Sequence, residues 1–518
     1  MQRSKDESVS VWQTDEMQEP VFSTLADNLT TEICIVGAGI AGLTIGYLLA
    51  KEGKSVVILD AWGLASGETS RTTAHLTAVL DDRFYNLESL FGVENSRLAA
   101  ESHMAAINRI ENIIKAENID CDFERLDGYL VALEDDQKDA FNQEHDALRR
   151  AGFADMDVHT HVPVPGIQLS APTMRFPQQG TFHATKYMTG LANTFLRLGG
   201  QIYTGSHVNE VKGGKAAYVK TDNGMQVQAS HVVVATNTPV NDWVKMHTKQ
   251  AAYRTYVVGF EIPKDSYPNF LLWDMQDPYH YVRIVRGSTH DVLIVGGEDH
   301  KTGQAQDPAD RYRRLEQWTQ RYFATIGAVK YRWSGQVMEP IDSLAFIGRN
   351  PGDEHNVYIA TGDSGNGMTH GTIAGMLIAD LIQGRPNAYE KLYDPARKTL
   401  KAVPCFIKEN ANAAERMVAD RIKGSKVESA LALRSGEGAV LRDGTSKIAV
   451  YKDENGQLHE RSAVCPHLGC IVQWNPGEKS WDCPCHGSRF GINGEILNGP
   501  ATKPLDTLEA KSPRKASA

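Results

Sequence analysis

The chain has 518 residues, enough for several domains with a core of ordinary size in each. Its hydrophobic, charged and aromatic fractions (41%, 23% and 8%) are those of a water-soluble globular protein. A net charge of −10 with no long basic run excludes a general nucleic-acid binder, and seven cysteines are too few for a disulfide scaffold.

Residues 1–30 read as a polar N-terminal extension with no apolar signal core and no twin arginine, so the expected location is cytoplasmic. Ile33 to Ala50 carries no charge, but Gly37, Gly39, Gly42 and Gly46 interrupt it and no transmembrane segment is expected. Instead, Glu32-Ile-Cys-Ile-Val-Gly37-Ala-Gly39-Ile-Ala-Gly42 reads as a strand, a glycine turn and a helix start. A second strand, Ser55 to Leu59, ends at Asp60, eighteen residues after Gly42. That spacing is a dinucleotide-binding βαβ unit: glycines let the backbone approach a pyrophosphate at the helix N-terminus, and Asp60 accepts from a ribose hydroxyl. The motif alone does not separate NAD from FAD.

Later segments choose between them. Gly67-Glu-Thr-Ser70-Arg71-Thr72-Thr73-Ala-His75 resembles the second flavin motif of the D-amino-acid-oxidase-like (DAO) family of FAD-dependent oxidoreductases. Val232-Val-Val-Ala235-Thr236-Asn237 resembles that family's strand returning to the cofactor. Tyr358-Ile-Ala-Thr-Gly362-Asp363-Ser-Gly-Asn-Gly367-Met368-Thr369-His370-Gly371, followed by an apolar helix from Ile373 to Ile382, resembles its C-terminal flavin motif. Between them, Thr185 to Leu198 reads as a helix, and Gly200 to Tyr203 and Ser206 to Val211 as strands. The resemblance spans about residues 31 to 400. It implies FAD held by Gly37, Gly39, Gly42, Asp60, Ser70, Arg71, Thr72, Thr73, Val208, Ala235, Thr236, Gly362, Asp363, Gly367, Met368 and Thr369. It also implies an α/β (α+β) architecture: a Rossmann-type FAD domain (about 31–85, 181–249 and 336–400) interleaved with an antiparallel-sheet substrate domain (about 86–180 and 250–335). Alternation in Tyr253 to Phe260, Tyr279 to Arg286 and Val292 to Val295 predicts strands of that sheet, and Pro308 to Tyr322 a charged amphipathic helix.

No motif fixes a catalytic base. Arg283 is a candidate for a substrate carboxylate or an ordinary strand residue. Tyr253, Tyr256 and Tyr281 are candidate pocket walls, and His370 a further catalytic candidate. His75 sits near where some DAO relatives attach FAD covalently, but the following glycine is absent and a non-covalent pocket histidine is expected. His159 and His161 lack further ligands and read as surface residues.

Residues 401–429 read as a helical linker, with Cys405 to Lys423 helical. Residues 430–518 alternate short strands and turns, as in a small all-β domain. Within them stand Cys465-Pro-His467-Leu-Gly-Cys470 and, twelve residues on, Cys483-Pro-Cys485-His486-Gly-Ser-Arg-Phe490. Two loops each offering one Cys and one His suit a cluster in which imidazoles replace two thiolates on one iron; a zinc ribbon is the rival. The segment resembles the Rieske [2Fe-2S] domain family. The resemblance implies Cys465 and Cys483 on one iron, His467 and His486 on the other, and a Cys470–Cys485 disulfide over the cluster. Ser488 matches a serine that donates to a cluster sulfur, and Phe490 stands where high-potential members carry a tyrosine, so a moderate potential is expected. Gly499-Pro500 to Leu505 resembles the proline loop beside the cluster.

The combination implies that FAD takes two electrons from a small molecule, an amine or amino acid by family resemblance. The cluster then passes them singly to an unidentified electron-transfer partner. Two alternatives remain open at this point: a reductase or monooxygenase-like flavoenzyme receiving electrons through the cluster, and a redox sensor. A ring-hydroxylating oxygenase would need a mononuclear iron on two His and one carboxylate, for which no Asp-x-x-His-x-x-x-x-His run exists.

Overall fold

The structure is a computed structural model that describes residues 8–13, 20–241, 245–422, 429–444 and 446–508. Its chain forms two compact units. The first comprises Ser8–His300 and Ala309–Glu409, and the second Lys301–Pro308 and the chain from Asn410 onward.

In the first unit, the apolar runs Leu29–Val36, Val56–Leu59, Gln226–Val234 and Val357–Thr361 pair in parallel, and their burial on both faces suits a parallel sheet covered on each side. Among the described residues the eight-stranded sheet runs Phe346–Arg349, Val357–Thr361, Gln226–Val234, Leu29–Val36, Val56–Leu59, Gln201–Tyr203, with Val208–Lys212 and Tyr218–Thr221 attached beside Gln226–Val234. The helix Ile40–Lys51 follows the glycine turn directly, and the helix Gly367–Ile382 packs against it. Glycine is required at this crossing: a Cβ on Gly375 would lie 2.4 Å from Thr44 Cγ2, and one on Gly371 2.7 Å from Ile40 Cγ2.

The second sheet has nine strands among the described residues. Its main path is Val329–Pro340, Gln250–Pro263, His290–Lys301, His280–Val285, Leu271–Asp274, Glu124–Val131, Thr173–Thr181 and His75–Leu76. Its pairs Val329–Pro340/Gln250–Pro263, His290–Lys301/His280–Val285, His280–Val285/Leu271–Asp274, Glu124–Val131/Thr173–Thr181 and Thr173–Thr181/His75–Leu76 are antiparallel, and the Leu271–Asp274/Glu124–Val131 pair is parallel. One sheet face joins the core shared with the flavin fold (Val257, Leu271, Trp273, Ile294, Trp333), and the other buries Tyr256, Val258, Val282, Leu293 and Val295 under the helix Pro308–Tyr322. Residues 86–180 are not chiefly sheet. The helices Phe84–Phe91 and Val93–Glu117 precede the strand Glu124–Val131, and Lys138–Arg150 follows it, the second helix burying Ala99, Ala106, Ile107, Ile110 and Ile113 at helical spacing.

The expected linker helix runs Val403–Ile422, and the division between the units falls within it; residues 423–428 of the predicted linker lie outside the described residues. In the second unit a three-stranded sheet (Gly438–Asp443, Ser446–Lys452, Leu458–Ser462) accompanies a four-stranded one (Gln473–Asn475, Ser480–Asp482, Arg489–Phe490, Ile496–Asn498). Their core holds Tyr451, Trp474, Trp481 and Phe490. A buried Arg489–Asp482 ion pair (3.1 Å) is completed by Ser480 and Asn498, so neither charge lacks hydrogen bonds. No helix of the described residues is long and apolar enough to cross a membrane.

Candidate functional site

Local sequence makes a tight turn at the end of the strand Leu29–Val36. Gly37 has φ +108°, and a Cβ there would meet the Ala235 carbonyl oxygen at 2.4 Å, so only glycine lets these two backbones touch. The side chain of Asp60 accepts from Ala38 N (2.8 Å), Trp62 N (2.8 Å) and Gly63 N (3.1 Å), which ties the strand end to the glycine turn. Ala235 N donates to Val36 O at 2.8 Å, and Thr236 turns the chain away through Thr238. Val208 is buried at the start of its strand.

Two helix N-termini serve this region. Neither Ile40–Lys51 nor Gly367–Ile382 has a side-chain cap from its N-cap residue or an acid in its first turn. Long helices left so present N–H groups and positive dipole ends to an anionic group. The donor set therefore fits FAD. Gly362 (φ +76°), Asp363, Gly367, Met368 and Thr369 form the loop and first turn before the second of these helices, with burial pushing Asp363 up to about 7.

Ser70, Arg71, Thr72 and Thr73 form a loop whose far end joins the second sheet at His75–Leu76. His75 is held in one tautomer: Nε2 donates to Val282 O (3.2 Å) and Nδ1 takes the Thr73 hydroxyl (3.0 Å). Burial lowers its pKa to about 3, so the ring stays neutral.

The catalytic candidates fare differently. Arg283 is buried and binds backbone: Nη1 donates to the carbonyls of Thr73 (3.0 Å), Ala74 (2.9 Å) and Phe182 (3.2 Å), and Nε to Ile284 O. It braces the flavin loop rather than offering a free fork to a substrate carboxylate. Tyr256 cannot wall the same pocket as Tyr253, because three residues along a strand reverse the face; it is 2% exposed in the opposite core, against Tyr312 and His300. Tyr253 lies on the face shared with Thr255 and Val257, and Thr255 hydrogen-bonds Tyr281 there at 2.9 Å. His370 is fully buried with both ring nitrogens engaged, Nδ1 to Asp363 O (2.8 Å) and Nε2 to His103 Nε2 (3.2 Å). With both nitrogens so engaged it braces the loop through Asp363 O. His159 and His161 gather no further ligands among the described residues.

Sequence reasoning missed a group of carboxylates beside the C-terminal flavin loop. The Ser364 hydroxyl is hydrogen-bonded to both Asp82 and Glu339 (2.7 Å to the latter), and Gly365 is so close to Asp81 that a Cβ would sit 2.5 Å from its Oδ2 and 3.8 Å from the Tyr279 hydroxyl. Asp299 interacts with Thr255 and leaves Oδ1 buried without a hydrogen-bond partner among the described residues. Burial pushes Asp81 and Asp299 up to about 7; it also raises Asp82 and Glu339, which repel one another. The available signal was the pair Asp81-Asp82 shortly after the second flavin motif.

In the second unit the Cys-x-His-x-Gly and Cys-x-Cys-His-Gly loops fold alike. Cys465 N donates to Cys470 O (2.8 Å) and Gly469 N back to Cys465 O (2.9 Å). Cys483 N donates to Ser488 O (2.8 Å) and Gly487 N to Cys483 O (3.1 Å). Gly469 (φ +78°) and Gly487 (φ +80°) permit both turns. Cys465 and Cys483 are both buried in the same core; the Cys465 thiol is held below its usual range, chiefly by the Cys483 thiol and also by the N–H of His467, and the Cys483 thiol is pushed above it. The His467 and His486 rings meet edge-on with centroids 5.0 Å apart. Cys470 and Cys485 are joined in a disulfide, so the close grouping of Cys470, Cys483 and Cys485 offers only one free thiol and is not a metal set. Two thiols and two imidazoles converging between paired loops fit a Rieske cluster. Ser488 Oγ accepts from Ala501 N (3.0 Å), linking this loop to the proline segment.

Residues 32–381 match the family described as FAD dependent oxidoreductase (DAO), and residues 425–509 match the Rieske [2Fe-2S] domain. The chain belongs to the DAO family of FAD-dependent oxidoreductases. It is a DAO-type flavoenzyme with a C-terminal Rieske [2Fe-2S] domain, and its cofactors are FAD and that cluster. A relative of the same architecture, YhfW of Bacillus subtilis (strain 168), which bears the name of a Rieske 2Fe-2S iron-sulfur protein, is 30% identical over 510 residues, 98% of each chain. Gamma-glutamylputrescine oxidoreductase of Escherichia coli (strain K12) is 26% identical over 382 residues, covering 71% of this chain and 87% of its own. The DAO fold is shared with glycine oxidase from Geobacillus kaustophilus (TM-score 0.58, 18% identity, covering 72% of this chain and all of that one).

Proposed function

We propose that this DAO enzyme oxidises a cationic amine and passes the electrons one at a time from FAD to its own Rieske cluster. The observation that carries the substrate class is the carboxylate group Asp81, Asp82, Asp299 and Glu339 beside the C-terminal flavin loop. An ammonium group would satisfy the unpartnered Asp299 oxygen and favour ionisation of its neighbours. Arg283 meanwhile is engaged with backbone carbonyls, which disfavours a substrate whose anchor is a carboxylate. The relative named gamma-glutamylputrescine oxidoreductase supports an amine.

FAD supplies the two-electron oxidation and can release electrons singly, and the cluster accepts one at a time. The chain's residues bind and orient. The glycine turn with Asp60, the Ser70–Thr73 loop, Ala235–Thr236 and the Gly362–Thr369 loop would hold FAD. Tyr253, Thr255, Tyr279 and Tyr281 would wall the substrate space. Carboxyls raised to near neutrality can take the ammonium proton, which leaves the amine lone pair free for oxidation. Cys465, Cys483, His467 and His486 are the proposed cluster ligands, with both cysteines buried and His467 8% exposed.

The test is anaerobic mixing of the holoenzyme with amines and amino acids, following flavin absorbance and the cluster's electron paramagnetic resonance. Amines should bleach the flavin and then reduce the cluster. Bleaching by simple amino acids alone would overturn the substrate class, and a cluster that stays oxidised after flavin reduction would overturn the internal transfer.

A further inference from the structure

The first described residues, Ser8–Gln13, lie on the second flavin loop. Ser10 Oγ donates to Ser70 O (2.6 Å) and Trp12 Nε1 to Thr72 O (2.5 Å), while Arg71 Nη1 and Nη2 donate to Ser8 Oγ and Ser8 O, both at 3.1 Å. Thr185 Oγ1 donates to Trp12 O (3.2 Å), which fixes the segment from the other side. The Trp12 indole is 1% exposed, its ring set edge-on to His183 (4.8 Å) and under the Arg283 guanidinium (5.3 Å).

These bonds complete a run. Trp333 Nε1 donates to Arg71 O (2.9 Å), and Arg283 Nη1 to the carbonyls of Thr73 and Ala74. Every carbonyl from Ser70 to Ala74 therefore accepts a side-chain donor. The N–H groups of Thr72 and Thr73 have no acceptor among the described residues. Ala74 is held at φ +57°, a left-handed conformation that a non-glycine residue keeps only when its surroundings impose it. The loop also touches the glycine turn directly, with Thr69 Oγ1 accepting from Ile40 N at 3.2 Å.

We propose that Ser8–Gln13 is a strap that presets the Ser70–Ala74 loop for FAD, with Trp12 as its positioning residue. By holding Thr72 O, Trp12 fixes a peptide plane next to the N–H groups left for the cofactor, so FAD does not have to order the loop as it binds. The strap concerns retention of FAD and stands whatever the substrate.

The experiment uses the full chain, deflavinated with its cluster intact, and titrates FAD by fluorescence while the apoprotein's melting temperature is recorded separately. Trp12→Phe keeps the ring between His183 and Arg283 but removes the donor. It should weaken FAD binding about tenfold, one hydrogen bond's worth, at an unchanged apoprotein melting temperature. Trp12→Ala should weaken it further. Ser10→Ala, which releases only Ser70 O, should weaken it in the same sense and decides the matter if the Trp12 variants do not fold. Wild-type FAD affinity in Trp12→Phe, or affinity lost only in step with apoprotein melting temperature, would overturn the proposal.

Discussion

Asp81 and Gly365 are in closest approach where the substrate sheet's entry loop meets the C-terminal flavin loop: a single methyl on Gly365 would lie 2.5 Å from Asp81 Oδ2. Gly365 also has φ +68°, so alanine there adds backbone strain to the clash. Gly365→Ala should lower the rate of flavin reduction by amine roughly tenfold or more, since misplacement at a reacting centre is costly. The visible spectrum of the cluster should be unchanged, and stopped-flow reduction with parallel spectroscopy checks both.

The raised carboxyls set a pH profile. Asp81 and Asp299 sit near 7, so below that they are largely neutral and bind a cation weakly, and above it they ionise. The apparent affinity for a cationic amine should therefore rise with pH through about 7, and Asp299→Asn should flatten the rise. The same shift acts oppositely on stability. A folded-state pKa above the unfolded value means stability is full below about 3.9 and is lost as pH rises through 7. Asp299→Asn should accordingly raise the apoprotein melting temperature more at pH 8 than at pH 5.

His103 and His370 make a hydrogen-bonded chain with one workable proton arrangement. Asp363 O can only accept, so His370 Nδ1 carries its proton, His370 Nε2 accepts from His103, and His103 Nδ1 accepts from Thr369 (2.8 Å). Burial holds both pKa values down, His370 to about 4. A depressed histidine pKa leaves stability intact above the unfolded value of about 6.5 and removes it as pH falls toward 4. For His370 the loss between pH 7 and pH 5 is about 2 kcal/mol. Denaturant unfolding of wild type and His370→Gln at both pH values checks it, and the glutamine variant should lose that much less.

The parallel flavin sheet was legible because its strands are uninterrupted apolar runs and its glycines stand where backbones touch, as at Gly37 and Ala235. The cluster loops were legible because ligand type and spacing are local. What was not legible depends on contacts between distant segments. Nothing near Arg283 in sequence shows that it binds the carbonyls of Thr73 and Ala74, and nothing near Trp12 shows that it reaches Thr72. The role given to Tyr256 failed for a local reason: strand alternation already separates it from Tyr253. The helix Val93–Glu117 does carry the spacing of an amphipathic helix at Ala99, Ala106, Ile110 and Ile113, but family resemblance to a sheet domain obscured it.

The cluster ligands can be separated from the disulfide by substitution. Cys470 and Cys485 are bonded to each other across fifteen residues, while Cys465 and Cys483 are buried thiols outside that disulfide and the His467 and His486 rings meet edge-on. The disulfide closes the two loops over the site, and a loop of that length constrains the unfolded chain by about 3 kcal/mol in the entropy model. Cys470→Ser should still assemble the cluster, with faster loss on warming. Cys483→Ser removes a thiolate and should lose most of the iron and acid-labile sulfide. FAD content should hold in both variants, because its site is built in the other unit. Iron, sulfide and flavin analysis of purified protein checks all three, and a full complement of cluster in Cys483→Ser with none in Cys470→Ser would require a different ligand set.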